Sequence, residues 1–113
     1  MANPSPELLH GTLDALVLKT LAGGRRHGYA IARAIEETTE EVVAVEEGSL
    51  YPALQRLLVK DLVSAEWGQS ENNRRARFYQ LTSAGRKQLG QEEAGFMERF
   101  EAIRRVMKTA SRR

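Results

Sequence analysis

The chain has 113 residues, a hydrophobic fraction of 42%, a charged fraction of 28% and a formal net charge of +2. That length suits one domain with one modest core, and the composition is too apolar for a disordered chain. The absence of cysteine excludes disulfides, thiolate metal sites and thiol redox sensing. The opening MANPSPELLH has no basic segment before an apolar run, and no later apolar run approaches the ~20 residues of a membrane helix. We therefore expect a cytoplasmic protein.

Three helices are predicted in the first half of the chain, at residues 8–21, at 28–39 and within 45–61, from apolar residues at helical spacing. A glycine pair, Gly23 and Gly24, ends the first helix. The β-branched run from Val42 to Val45 is either a short strand or an extended connector. The buried face of the third helix is predicted to consist of Leu50, Leu54, Leu57 and Leu58.

A β hairpin is predicted next, because apolar residues alternate along residues 62–67 and 76–81. The polar, partly basic segment GQSENNRR joins the two strands and forms a long tip. Val63, Ala65 and Trp67 share one face of the first strand, so Trp67 is expected to pack at the base of the hairpin.

The last predicted element is a long helix from Ser83 to about Lys108, with Thr82 as its N-cap. Its apolar residues follow the 3.5-residue period of two helices packed along each other. Such a helix is ~39 Å long at 1.5 Å per residue, which is longer than a small domain can cover. The row of apolar residues along it, called the seam below, therefore needs a second chain. Glu93 is a charged residue within this apolar seam. The predicted dimer interface consists of Leu89, Phe96, Phe100, Ile103 and Met107.

Three helices followed by a hairpin is the order of a winged helix-turn-helix, in which the third helix enters the major groove. The predicted fold class is therefore mainly α with a small β hairpin. A winged helix-turn-helix DNA-binding domain at residues 1–81 is followed by a C-terminal dimerisation helix at 82–113, and the two form one structural unit.

The outward surface of the third helix then suits DNA. Gln55 and Arg56 can bond base edges, whereas Ser49, Tyr51 and Lys60 can reach phosphates. If Ser49 caps the helix, Pro52 lies at the third helical position, where a missing N–H is tolerated. A merely solvated helix surface has a similar composition, but the Tyr-Pro pair and the basic hairpin favour nucleic acid. The predicted DNA-binding residues of this helix are Ser49, Tyr51, Pro52, Gln55, Arg56 and Lys60.

The charges are unevenly distributed. Arg74, Arg75 and Arg77 cluster at the hairpin, where a wing would meet phosphates. The acidic run from Glu36 to Glu47 would repel phosphate, so we expect it to face away from DNA or to flank the helix-turn-helix.

Three segments, HGYAIARAIEE, EEGSLYPALQRL and SAEWGQSENNRRARFYQLTSAGRKQL, closely resemble the PadR-like family of bacterial transcriptional regulators, in particular its short form with one C-terminal helix. The resemblance covers about residues 9–89. It implies a homodimer held by the C-terminal helix, an inverted-repeat operator in double-stranded DNA near promoters and, in most members, repression. It assigns Ser49, Tyr51, Pro52 and Gln55 to the recognition helix and Arg74 and Arg75 to the wing.

The resemblance also implies that a small-molecule effector could bind at the dimer interface, because family members often release DNA when a small aromatic compound binds there. In drug-binding relatives a tryptophan on the C-terminal helix clamps that compound, whereas Trp67, the only tryptophan of this chain, lies in the hairpin. Phe96 and Phe100 either line such a pocket or form the core of the interface.

No catalytic or metal site is predicted. His10 and His27 have no partner at metal-ligand spacing, and Ser49 lacks the flanking pattern of a nucleophile elbow. His27 is expected to serve in a turn or as a cap. The chain is accordingly predicted to be no enzyme and to need no cofactor. The alternative hypothesis is a winged-helix module that binds another protein instead of DNA, which a large apolar patch outside the dimer seam would indicate.

Overall fold

The computed structural model describes residues 6–109, with side chains from Gly11 onward. The fold class is confirmed, since helices dominate this range and the strands form one small antiparallel sheet. Of the predicted DNA-binding domain at 1–81 and the predicted dimerisation helix at 82–113, residues 1–5 and 110–113 lie outside the described residues. In chain order the elements are α1 (Pro6–Leu21), β1 (Arg26–His27), α2 (Gly28–Thr38), α3 (Glu47–Val59), β2 (Val63–Gln69), β3 (Arg75–Leu81) and α4 (Ser83–Lys108).

The sheet has one strand more than the predicted hairpin. β1 pairs antiparallel with β3, placing Arg26 opposite Tyr79 and His27 opposite Phe78, so the strand order is β1-β3-β2. A strand of only two residues has no periodicity that a sequence pattern can reveal. His27 also caps α2, as predicted, because its Nδ1 accepts the backbone N–H of Ala30 at 3.2 Å.

The core lies between the first three helices and the base of the sheet. Three of the four leucines predicted for the buried face of α3 are fully buried, while Leu58 is partly buried at the edge of the core. Each buried leucine contributes about 1.5–3 kcal/mol relative to exposure, which fixes the orientation of α3. The largest fully buried side chains are Val17, Leu21, Ile31, Leu50, Leu54, Leu57 and Val63.

Ser49 is not the cap of α3. The N-cap is Glu46, whose backbone carbonyl accepts the N–H groups of Ser49 at 3.0 Å and Leu50 at 2.9 Å. The helix therefore begins three residues before the expected position, and Pro52 lies in its second turn. Proline there removes the N–H that would pair with the carbonyl of Gly48. Gly48 is exposed, so solvent is available to that carbonyl.

The run from Val42 to Val45 is a connector, not a strand. α2 ends at Thr38, and the next turn holds Glu40 and Glu41 at φ values of 53° and 68°. The hydroxyl of Thr39 accepts the N–H of Val43 at 3.1 Å, which turns the chain toward α3.

The hairpin projects beyond the helices. Its register runs from Val63 opposite Leu81 to Gln69 opposite Arg75. Both residues of the first pair are buried, whereas Trp67 is 58% exposed, so the prediction that Trp67 packs at the base is wrong. The alternation of apolar residues continues along β2, but the helices that would cover it end earlier.

α4 is anchored at its first turns and extends away from the core. Thr82 caps it as predicted, since its hydroxyl accepts the N–H of Gly85 at 2.9 Å and donates to the carbonyl of Asp61 at 2.7 Å. Leu89 still packs against the core, but the later apolar residues are largely exposed. The extension makes the described chain 58 Å long and only 28 Å by 23 Å across.

Candidate nucleic-acid interface

The side of α3 opposite its buried leucines is exposed and mainly polar. Five of the six side chains predicted to contact DNA lie there, and the sixth, Arg56, is partly buried. Four of the five lie on a helix that the core holds in place, and Lys60 is the C-cap of that helix. The exposed residues are Ser49, Tyr51, Pro52, Gln55 and Lys60.

Tyr51 serves the packing of α3 as well as its surface. Its ring lies over Gly28 at the start of α2, where an added Cβ would come within 3.1 Å of the ring and of its hydroxyl. The side chain is nevertheless 47% exposed. Burial raises the pKa of Tyr51 above its ordinary value, and Glu47 and Tyr79 raise it further. A phenol is protonated at neutral pH, so the hydroxyl can donate a hydrogen bond to a phosphate oxygen.

Arg56 has a protein partner. Its Nη2 and Nε donate to the two carboxylate oxygens of Asp14 in α1, at 2.8 Å and 3.3 Å. The side chains of Arg56 and Asp14 are only 26% and 15% exposed. This two-point contact fastens α3 to α1, so the guanidinium that the sequence placed at the surface has a partner within the chain.

The wing carries the three predicted arginines in exposed positions. The guanidinium of Arg75 lies 4.6 Å from the centre of the Trp67 ring, and that of Arg77 lies 5.9 Å from the ring of Tyr79. Arg74 lies in the tip, where its carbonyl accepts the N–H of Ser70 at 2.8 Å. Stacking leaves the N–H edges of an arginine free for phosphate oxygens.

Two exposed residues near this surface were not predicted. Val59, 76% exposed, follows Gln55 by one helical turn, and an apolar side chain can contact a thymine methyl group. Tyr29, 68% exposed, begins α2 beside a cleft of about 600 Å³ between α2 and the wing tip. The helical spacing that buries the leucines of α3 turns Val59 outward, and the spacing of Ile31 and Ile35 in α2 does the same for Tyr29, so the sequence held a signal for both exposures.

The acidic run is divided between two places. Glu36, Glu37 and Glu41 surround Arg33, with their closest oxygens 3.0, 3.2 and 3.8 Å from its nitrogens. Glu46 and Glu47 are exposed at the start of α3, where the helix dipole favours negative charge. These two carboxylates flank the exposed surface of α3 and lie closer to it than the rest of the run.

The predicted dimer seam lies along α4. Leu89 and Phe96 are partly buried, whereas Phe100, Ile103 and Met107 are 57%, 50% and 75% exposed. Glu93, the charged residue in the seam, has a partner within the chain, because it accepts a 3.0 Å hydrogen bond from Lys19 of α1. An apolar groove of about 510 Å³ separates α1 from α4. Its lining includes Ala15, Leu16, Leu89, Phe96 and Met97.

No metal centre is found among the described side chains, which begin at Gly11: no three His, Asp or Glu side chains from there to Thr109 converge as metal ligands. No helix described between residues 6 and 109 combines the length and the apolar character needed to cross a membrane.

Residues 17–91 match the model of the transcriptional regulator PadR-like family. Among solved structures, a transcriptional regulator from Clostridium thermocellum gives a TM-score of 0.76 at 26% identity, covering 94% of this chain and 100% of that chain. A PadR-like transcription factor from Bacteroides fragilis gives 0.71 at 30% identity, covering 88% of this chain and 94% of that chain.

Two curated relatives each match most of this chain. The uncharacterized protein X of Lysinibacillus sphaericus is 28% identical over 85 residues, covering 75% of this chain and 78% of the relative. An uncharacterized 37.1 kDa protein in the Streptomyces fradiae transposon Tn4556 is 43% identical over 95 residues. That match spans 84% of this chain but 25% of the transposon protein.

Proposed function

Because this chain belongs to the PadR-like family of transcriptional regulators, we propose that it is a homodimeric repressor that binds an inverted-repeat operator in double-stranded DNA. The observation that carries the proposal is the exposed, mainly polar side of α3 beside a wing with three exposed arginines. A rigid helix with polar side chains next to a cationic hairpin matches a major groove and its flanking backbone.

The contacts divide between base edges and phosphates. Gln55, in the middle of the exposed side of α3, reads a base edge, and Ser49, Tyr51 and Lys60 bond the backbone. Pro52 lies on the same surface and fits the groove beside them. The wing residues Arg74, Arg75 and Arg77 bind phosphates whatever the sequence. Arg56 acts through its bond to Asp14, which fixes the angle of α3.

The winged helix-turn-helix at 1–81 binds DNA, and the helix at 82–113 forms the dimer. The exposed apolar side chains of α4 support this division, because an isolated chain would leave them in water. In a two-fold dimer the two α3 helices enter successive major grooves ~34 Å apart. A dimer bound at such a site near a promoter excludes polymerase and so represses transcription. This role needs neither a cofactor nor catalysis, and it places the protein in the cytoplasm.

The groove between α1 and α4 is the place for a small effector, should this chain respond to one as other family members do. Its lining is largely apolar and includes Phe96. A compound there would lie at the dimer seam, where it can alter the distance between the two α3 helices.

A protein-binding module without a DNA role receives less support. Outside α4, the large exposed apolar side chains of the described residues are Tyr29, Val42, Tyr51, Val59 and Trp67, which lie on four separate segments. Apolar side chains exposed on separate segments are common on protein surfaces and do not by themselves indicate a protein partner.

The test is fluorescence anisotropy of a labelled duplex from upstream of the protein's own gene, against a scrambled duplex, across a salt series. The proposal predicts preference for the native duplex and an affinity that falls steeply with salt. Equal weak binding to both duplexes, followed by failure to enrich any sequence from random DNA, would favour the protein-binding module.

A further inference from the structure

Trp67 is an exposed aromatic side chain that does not belong to the core. It lies in the outer half of β2, with 58% of its surface exposed and with Arg77 directly opposite on β3. The guanidinium of Arg75 covers one side of its ring at 4.6 Å. The rest of the indole leaves apolar area and one N–H donor available for a contact outside the chain.

The two faces of the hairpin differ in charge. On one face Trp67 and Gln69 accompany Arg75 and Arg77, and no strand residue of that face is acidic. This face joins an aromatic surface to two uncompensated positive charges.

The opposite face is already covered. There Arg25 lies 4.1 Å from the centre of the Phe78 ring and pairs with Glu66 at 3.3 Å. The same combination of arginine and aromatic ring therefore occurs on both faces, but only the face with Trp67 keeps its charge free.

The face with Trp67 lies on the side of α3. It continues along β3 to Tyr79, which pairs with Arg26 of β1. Two residues after Arg26, Gly28 carries the ring of Tyr51 from α3. The row of residues from Tyr51 to Trp67 thus runs from the exposed side of α3 onto the wing.

We propose that Trp67 is a DNA-contacting residue, held under Arg75 so that the ring packs on the deoxyribose surface beside the phosphates bound by Arg75 and Arg77. This inference rests on the proposed DNA-binding function and extends it to an uncharged contact. The indole supplies apolar area and one N–H donor, while the stacked guanidinium is oriented before DNA arrives.

The chain offers a direct probe, because Trp67 is its only tryptophan. The intrinsic emission is recorded while an unlabelled duplex is added at constant protein concentration, and anisotropy of the same duplex in labelled form reports binding. The inference predicts that emission changes and that acrylamide quenching is lost in step with binding. Binding by anisotropy with unchanged emission and quenching would overturn this inference and leave the proposed function intact. Absence of binding would overturn both.

Matched variants separate the contact from a structural effect. Trp67→Ala should weaken binding to native and scrambled duplexes alike, by about fivefold to tenfold, with an unchanged salt dependence because no charge is removed. Trp67→Phe should recover part of that loss. Arg75→Gln should lower the salt slope by about one.

Arg25→Gln is the control, since it removes the corresponding arginine from the covered face. It should leave affinity and salt slope unchanged. Equal losses in the Arg25 and Trp67 variants, with lowered melting temperatures in both, would assign Trp67 a structural role and refute the contact.

Discussion

The outward side of α3 and the far end of α4 are both largely exposed, yet they differ in chemistry and in the contacts that hold each helix. α3 is held by three buried leucines, by Tyr51 on Gly28 and by Arg56 on Asp14, and it presents mainly polar groups. α4 is anchored near Thr82, Gly85 and Leu89 and by the bond from Lys19 to Glu93. Its far half presents Phe100, Ile103 and Met107. A fixed polar surface suits a polyanion of defined shape, whereas an unsupported apolar helix needs another protein chain.

The largest expected effect comes from removing the apolar character of α4. Phe100→Glu with Ile103→Glu should prevent dimerisation, because each change places a charge in a seam that must lose its water. Operator affinity should then fall by at least about 100-fold, since one half-site remains bound at a time. Sedimentation velocity reports the mass, and anisotropy reports the affinity.

Glu98→Gln, an exposed change on the side of the same helix away from the seam, should leave the mass and the affinity as they are. A double glutamate variant that stays dimeric would contradict the assignment of the seam.

The anchor of α4 can be tested with two glycines of the same helix. At Gly85 an added Cβ would lie 2.0 Å from the carbonyl oxygen of Leu62, so Gly85→Ala should lower the free energy of unfolding by about 3 kcal/mol. At Gly90 a Cβ meets nothing within 4 Å, so Gly90→Ala should raise it by about 1 kcal/mol.

Chemical denaturation measures both glycine variants. Similar stabilities would mean that the first turn of α4 is not fixed against the loop before β2.

On α3, the comparison predicts different outcomes for a base contact and a phosphate contact. Gln55→Ala should weaken binding to the preferred sequence by about 1–3 kcal/mol and relax discrimination at one base pair of each half-site. Lys60→Ala should weaken binding to all sequences and lower the salt slope by about one. A panel of operator variants measured by anisotropy distinguishes them. Uniform losses for both changes would refute the division of roles.

The smallest expected effect concerns the bond between α1 and α3. Asp14→Asn should lower stability by about 1 kcal/mol, because it leaves a partly buried guanidinium with a weaker partner. A double-mutant cycle with Arg56→Gln should give a coupling energy of about 1 kcal/mol for specific DNA binding. If Arg56 instead contacts DNA, Asp14→Asn should leave binding unchanged while Arg56→Gln lowers the salt slope.

The sequence predicted those features that local patterns specify. Helical spacing identified α1 to α4, alternation identified the hairpin, and Thr82 was recognised as a cap from its place before an apolar run. The side of α3 that faces outward followed from its leucines. Each of these depends on residues within a few positions of one another.

The features that the sequence did not predict depend on distant residues. β1 exists only because β3 pairs with it, 51 to 53 residues later in the chain. The sequence pattern predicts Arg56 as an unpaired surface cation, because its partner Asp14 lies 42 residues earlier and is brought beside it only by the fold. The exposure of Trp67 depends on where the helices stop covering the sheet, which alternation along β2 does not encode. The DNA-contacting and dimer-forming roles of the predicted residues stay predictions that the variants above test.

The most direct test of the central claim is selection of bound duplexes from a random DNA library, followed by sequencing. A dimer that presents one α3 from each chain predicts an enriched inverted repeat with half-site centres about 10 base pairs, or a multiple of that, apart. Gln55→Ala should relax one position in both halves of the repeat together. Enrichment of no motif, or of a single motif without two-fold symmetry, would contradict the account.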